Sequence, residues 1–128
     1  MPVLHEVYAQ IDAPLFLHNT GSSFFEFLDL FSELPNMAGF IMDNNDDLVQ
    51  TRKIIGPDKA ILGGSDGMWL KVNSADHIKE KCKEKLRQMK NDSHYALVSG
   101  GPDVPIETPV ENILAMRLAV DEVAADDV

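Results

Sequence analysis

Leu15-Phe-Leu-His-Asn-Thr-Gly21, Gly39-Phe-Ile-Met-Asp-Asn-Asn45, Ala60-Ile-Leu-Gly-Gly-Ser-Asp66 and Tyr95-Ala-Leu-Val-Ser-Gly-Gly101 are four versions of one pattern. Each is a short apolar run that ends in small or polar residues, and a helix start follows it. Apolar runs without clean alternation are expected of parallel strands covered on both faces. Strand and helix in strict succession is the signature of parallel βαβ units. The fold class is therefore α/β, a (βα)4 unit with parallel strands, in a single domain over residues 1–128. Ligands in such folds sit beyond the carboxyl ends of the strands. Four strands are also half of an eight-stranded barrel. The sequence thus marks the place of a site and implies that much of the site comes from elsewhere.

The segments between strands carry recognisable starts and stops. Val3, Leu4, Val7, Tyr8 and Ile11 have helical spacing, and the helix over 2–11 ends at Asp12-Ala-Pro14, because proline disfavours helix in the residue before it. After strand 15–18, Ser23-Phe-Phe-Glu26 fits a capping box. Phe24, Phe27, Leu28, Phe31 and Leu34 then give helix 24–34 an apolar stripe suited to packing on a sheet. After strand 38–43, Asn45 is expected to cap a helix buried through Leu48, Val49, Ile54 and Ile55 and stopped by Gly56-Pro57. Strand 60–63 leads to a connection, 67–73, read as a loop carrying Trp69. Ser74 caps helix 75–90, whose narrow stripe is Ile78, Cys82, Leu86 and Met89. Strand 94–98 follows. Thr108-Pro-Val-Glu111 reads as N-cap, first-turn proline and closing glutamate for a last helix to about residue 124. The acidic tail Ala124-Ala-Asp-Asp-Val128 is expected to fray.

Composition removes several function classes. A chain of 128 residues with 45% apolar content can bury one core. A net charge of −10 is wrong for a nucleic-acid groove or an anionic membrane surface, both of which need a basic face. It is read as solvated helix faces. Cys82 is the single cysteine, so no internal disulfide or thiolate-rich metal site forms within one chain. Its place on an apolar stripe marks it as a buried structural thiol. No apolar run approaches the ~20 residues that cross a bilayer, and the start Met1-Pro-Val-Leu-His-Glu6 lacks the order of a signal peptide. A cytoplasmic protein with a small-molecule partner, and neither nucleic acid nor membrane, is expected.

The candidate substrate-binding residues are those the strand ends present: His18, Asn19, Asp43, Ser65, Asp66, Ser99 and Asp103. Each is an ordinary turn residue on its own. Four successive polar loops together point to a pocket. Neither a Gly-x-Gly-x-x-Gly nor a Gly-Lys-Ser/Thr phosphate loop occurs. Gly63-Gly-Ser-Asp-Gly67 matches the letters of a nucleophile elbow around Ser65. The match is discounted because the helix due directly after it is read only from Ser74, and no histidine is suitably placed. Zinc needs three or four ligands, and only His18 is well placed, so no stoichiometric metal is expected.

Three motifs in order, Leu17-His-Asn-Thr-Gly21, Ala60-Ile-Leu-Gly-Gly-Ser-Asp66 and Ser99-Gly-Gly-Pro-Asp-Val-Pro-Ile-Glu-Thr-Pro-Val-Glu-Asn-Ile113, resemble the C-terminal half of the uroporphyrinogen decarboxylase superfamily. That superfamily includes cobalamin-dependent methyltransferases. The resemblance spans about residues 2–123 and implies strands five to eight of a TIM-type (β/α)8 barrel. It implies a lyase of porphyrin biosynthesis that removes tetrapyrrole carboxylates without metal or cofactor. The alternatives are a corrinoid-dependent methyltransferase-like domain, with the corrinoid as a partner-bound cofactor, and a non-catalytic half-barrel binding or assembly module. The sequence departs from both enzymatic patterns. Thr20 stands where the zinc methyltransferases carry the cysteine of His-x-Cys, and Pro102 stands near their second cysteine. The Gly-His-Gly of the decarboxylases is Gly101-Pro-Asp103 here. The family's substrate-binding arginine and aspartate belong to the N-terminal half. The resemblance therefore implies a chain inactive by itself, acting as a homo-oligomer or beside a missing N-terminal half.

Overall fold

The computed structural model describes residues 1–19 and 22–127. In chain order the elements are α1 (Pro2–Ala9), β1 (Leu15–His18), a short 3-10 turn (Phe25–Phe27), α2 (Leu28–Ser32), β2 (Met37–Ile41), α3 (Leu48–Ile55), β3 (Ala60–Asp66), α4 (Gly67–Val72), α5 (Ala75–Gln88), β4 (Tyr95–Gly100) and α6 (Val110–Asp126). The four strands form one sheet in sequential order, β1-β2-β3-β4, with every pairing parallel. This is the expected α/β, (βα)4 architecture of half a TIM-type barrel.

Register separates the two faces of the sheet. Leu17, Phe40, Ile61 and Tyr95 are aligned across the four strands. They share a core with Leu28, Leu34, Leu48, Ile55 and Met89 from the helical layer. The next row is His18, Ile41, Leu62 and Ala96. Successive strand residues point to opposite faces, and none of this second row is fully buried. Phe16, two residues before His18, is 49% exposed. Its ring lies over Gly39, where a Cβ would come within 2.5 Å of it. Helices therefore cover one face, and the other is largely bare.

A second core joins α4, α5 and α6 through Leu70, Ile78, Cys82, Ala115 and Ala119. The two alanines let α6 approach α5 closely. Cys82 is fully buried, and that burial pushes its thiol up to about 11 despite the positive charge of Lys85. The structural-thiol reading agrees with this placement. On its outer side α6 exposes Val110, Leu114 and Leu118 at four-residue spacing. On α1, at the opposite end of the chain, Val3, Leu4 and Val7 are also exposed.

Several local expectations are corrected. Residues 67–73 are not a loop: β3 continues to Asp66, whose side chain accepts the Trp69 N–H and starts α4 at once. Asp47, not Asn45, caps α3 by accepting the Gln50 N–H. Val49 and Ile54 are exposed, and Thr51 takes the buried place, returning its hydroxyl to the Asp47 carbonyl. Helix 24–34 is split into the 3-10 turn and the five-residue α2. Ser23 serves there as a local tie, accepting the Phe25 N–H and donating to Asp46 at 2.6 Å. Phe27 points to solvent. Thr108 makes no cap, and its buried hydroxyl lacks a partner. The acidic tail is helical through Asp126, pinned by ion pairs from Arg87 to Asp126 and from Lys90 to Asp127. Val128 lies outside the described residues. No described helix is long and apolar enough to cross a membrane.

At the amino ends of the strands, Arg52 and Asp92 form a two-point pair, Nε–Oδ2 at 2.6 Å and Nη2–Oδ1 at 2.9 Å. Arg52 also donates to the carbonyls of Gly56 and Lys59. One guanidinium thus ties the end of α3, the turn into β3 and the turn into β4. Bidentate, charge-assisted pairs of this kind are among the stronger polar contacts in proteins.

Candidate functional site at the strand ends

The carboxyl ends of the strands enclose a cavity of about 330 Å³. Its polar side chains are Asn19, Asp43, Asp66 and Asp103, and Met68, Pro102 and Pro105 form apolar wall. Asn19 follows β1 and is almost fully buried. It donates through Nδ2 to Asp43 Oδ2 at 3.2 Å. Asp43 follows β2 and also accepts the Asn45 N–H, a turn that rigidifies its own loop. Asp66 ends β3 and is held by capping α4. Asp103 belongs to the loop after β4, and its backbone carbonyl lies on Gly67.

Of the seven sequence candidates, the structure brings Asn19, Asp43, Asp66 and Asp103 together. His18 is an exposed side chain on the edge strand and does not line the cavity. Ser65 and Ser99 are direct register partners on β3 and β4. Both hydroxyls are buried without a hydrogen-bond partner and sit outside the lining. The nucleophile-elbow match therefore fails for a different reason than the sequence offers. The helix does follow at once, but Ser65 is fully buried.

Lys85 is the residue that sequence reasoning missed. It sits in a helix rich in solvated lysines, yet its Nζ reaches the Asn44 carbonyl at 2.6 Å, Asn44 Oδ1 at 2.8 Å and the Gly64 carbonyl at 3.1 Å. Burial lowers its pKa, against the nearby charges of Asp66 and Asp43. The signal was spacing: residue 85 is three after Cys82 and four before Met89, on the buried stripe. Lys85 fastens the loop after β2 to β3.

A larger cavity of about 480 Å³ lies at the other end of the sheet, around Arg52, Asp92 and His94. Ligand sites in parallel α/β folds lie at carboxyl ends. The Arg52 guanidinium in the larger cavity is already satisfied. The smaller cavity is the better candidate on both counts.

The sequence model of the uroporphyrinogen decarboxylase family matches residues 1–123. The chain belongs to that family. A solved structure described as a methyltransferase from Methanosarcina mazei has a TM-score of 0.73 over 93% of this chain, at 22% identity. At that identity the likeness establishes the shared fold. The chain spans 34% of the length of that structure. No curated protein matches it.

Family membership raises the question of the methyltransferases' zinc. The donor set does not fit. Cys82 is buried between α5 and α6, away from the strand ends, and Pro102 lines the cavity near the second cysteine's place. Thr20 lies outside the described residues. Among the described residues no three His, Cys, Asp or Glu side chains gather as a metal site.

Proposed function

We propose that this chain is one domain forming the C-terminal half of a uroporphyrinogen-decarboxylase-type barrel. In this reading it serves a tetrapyrrole lyase as a substrate-holding half. The carrying observation is the cavity of Asn19, Asp43, Asp66 and Asp103 beside the bare sheet face. A Cβ on Gly100 would lie 3.4 Å from Ile41 Cγ2, in the bare row, and 3.6 Å from Asn19 Oδ1, in the cavity. The cavity floor thus adjoins the surface that four further strands would cover. A substrate of tetrapyrrole size needs the mouth that those strands complete. Among the described residues no histidine, arginine or cysteine lines this cavity, so the proton-transfer and carboxylate-binding groups are assigned to the other half.

Corrinoid-dependent methyl transfer is the second reading, supported by the likeness to the M. mazei methyltransferase. It would proceed without a zinc-bound thiol on this chain. A non-catalytic binding module is the third, supported by the same lack of proton-transfer groups.

Trp69 is the single tryptophan and stands in α4, whose first residues line the cavity. Its fluorescence should be quenched saturably by uroporphyrin, more tightly than by cobalamin. The isolated chain should release no CO2 from uroporphyrinogen. Tighter quenching by cobalamin would transfer the assignment to the corrinoid reading. The absence of saturable quenching by either would overturn both ligand assignments, and CO2 release by the chain alone would overturn its incompleteness.

A further inference from the structure

Charge is divided unevenly along the chain. Residues 1–51 hold eight acidic side chains and no lysine or arginine, whereas residues 52–128 hold 13 acidic side chains and all 11 basic ones. Folding does not mend this division. Every ion pair among the described residues joins two side chains beyond residue 51. Asp43, Asp46 and Asp47 already accept hydrogen bonds within the chain. Glu6 on α1, Glu26 on the 3-10 turn, Asp29 on α2 and Glu33 just after it stand exposed. Exposed apolar side chains lie among these carboxylates: Val3, Leu4 and Val7 on α1, and Phe27 and Leu30 on the turn and α2. Asn36 joins the two stretches, because its Nδ2 donates to the Tyr8 carbonyl at 3.0 Å and the Ile11 carbonyl at 2.6 Å. α1 is the extreme case. Every residue of it except Tyr8 is exposed, and none is fully buried. So short a helix takes its stability from packing an apolar face, yet Val3, Leu4 and Val7 are left to solvent.

We infer that α1 and the 3-10 turn with α2 form a docking surface for an amphipathic helix of the polypeptide that supplies the rest of the barrel, a helix with lysine or arginine on both sides of its apolar stripe. The inference rests on the half-barrel reading and adds the chemistry of the contact. The chain spans 34% of the length of the M. mazei structure whose fold it shares, so a completed barrel has ample further polypeptide to supply such a helix. Apolar residues at the centre of a contact supply affinity, and charges at its rim select the partner and its orientation. An acidic rim without one cation accepts a basic surface and rejects an acidic one. A second copy of the chain brings the same carboxylates and is the poorer match.

The test is an amide NMR titration of the full, isotopically labelled chain with two synthetic helical peptides. Both carry one leucine stripe, flanked by lysine in the first and by glutamate in the second. The lysine peptide should shift the amides of residues 3–9 and 26–33 saturably, with an apparent Kd at least tenfold below that of the glutamate peptide. Neutralising Glu6→Gln, Glu26→Gln and Glu33→Gln together should weaken it about tenfold, the combined size of three screened surface pairs. Asp58→Asn, Asp76→Asn and Glu111→Gln together remove as much charge elsewhere and should leave binding unchanged. Val3→Ser should weaken binding several-fold, which separates a seated apolar stripe from charge attraction alone. Equal affinity for the two peptides, shifts spread over the acids of α5, α6 and the strand ends, or no saturable binding would overturn the inference. Unlabelled chain matching the lysine peptide at the same residues would overturn it in favour of a second copy. CO2 release by the chain alone judges the half-barrel reading separately, so the two can fail independently.

Discussion

The backbone carbonyl of Asp103 rests on the Cα of Gly67 so closely that no side chain fits between them. The contact joins the loop after β4 to the first turn of α4 and forms one wall of the mouth. Gly67 has ordinary backbone angles, so the requirement is for space. Gly67→Ala should therefore displace residues 101–105 and cost about 1–3 kcal/mol, as overpacking does. Chemical denaturation measures the loss, and weakened quenching of Trp69 by bound ligand would register the opened wall.

Lys85→Met keeps the length of the stem and removes the ammonium. The Asn44 and Gly64 carbonyls then lose their donor in a half-buried place. A loss of about 2 kcal/mol is expected from the stranded acceptors. Lys81→Met, on the exposed face of the same helix, should be near neutral, since its partner Glu84 is an exposed i,i+3 contact. Equal melting temperatures for the two variants would contradict the fastening role of Lys85.

Burial alone would push the Asp92 carboxyl up. Hydrogen bonds from Arg52 and from the His94 backbone N–H outweigh it and hold the carboxyl below its ordinary value. A depressed folded-state value means that the unfolded chain binds the proton more readily. The stabilisation is complete above the unfolded value of about 3.9 and is lost as pH falls through the folded one. Asp92→Asn should lower stability at pH 7 and flatten its decline between about pH 5 and 2. Urea midpoints across that range read the slope directly, and parallel curves for the two proteins would dismiss the linkage.

The bare face and the apolar outer sides of α1 and α6 predict self-association of the isolated chain. Apolar surface of this kind, next to unpaired strand edges, favours contact between copies. Sedimentation velocity should show species above 14.2 kDa, shifting toward monomer in Phe16→Asp and Leu118→Lys. A clean monomer with a cooperative melt would argue for an open sheet that is stable unaided.

Much of the fold was legible because its signals are local. The four apolar runs, the stop at Gly56-Pro57 and the stripe through Ile78, Cys82 and Met89 each needed only neighbouring residues. The misreadings came from competition that sequence does not display. Asp66 could end a strand in a loop or cap a helix, and its capture of the Trp69 N–H decides for α4. Thr108 has the ideal letters for a cap, but its hydroxyl is buried away from the helix N–H groups. At the site, Asn19, Asp43, Asp66 and Asp103 converge because they follow neighbouring strands. His18 is separated from Asn19 by a single step of the pleat, which turns it to the bare face. Lys85 was hidden because its role depends on Asn44, 41 residues away.

The sequential strand order has a geometric consequence for how such units join. β1 and β4 each keep one edge of backbone groups unpaired within the sheet. All strands run the same way, so continuing the sheet past β4 as a parallel barrel requires a β1-like strand entering in the same direction. Such a seam is head-to-tail, not a surface meeting its own image. Two units can close both seams at once and make a ring of eight. A third unit on an unclosed pair would still present one free β1 edge and one free β4 edge, so assembly ends only by closure.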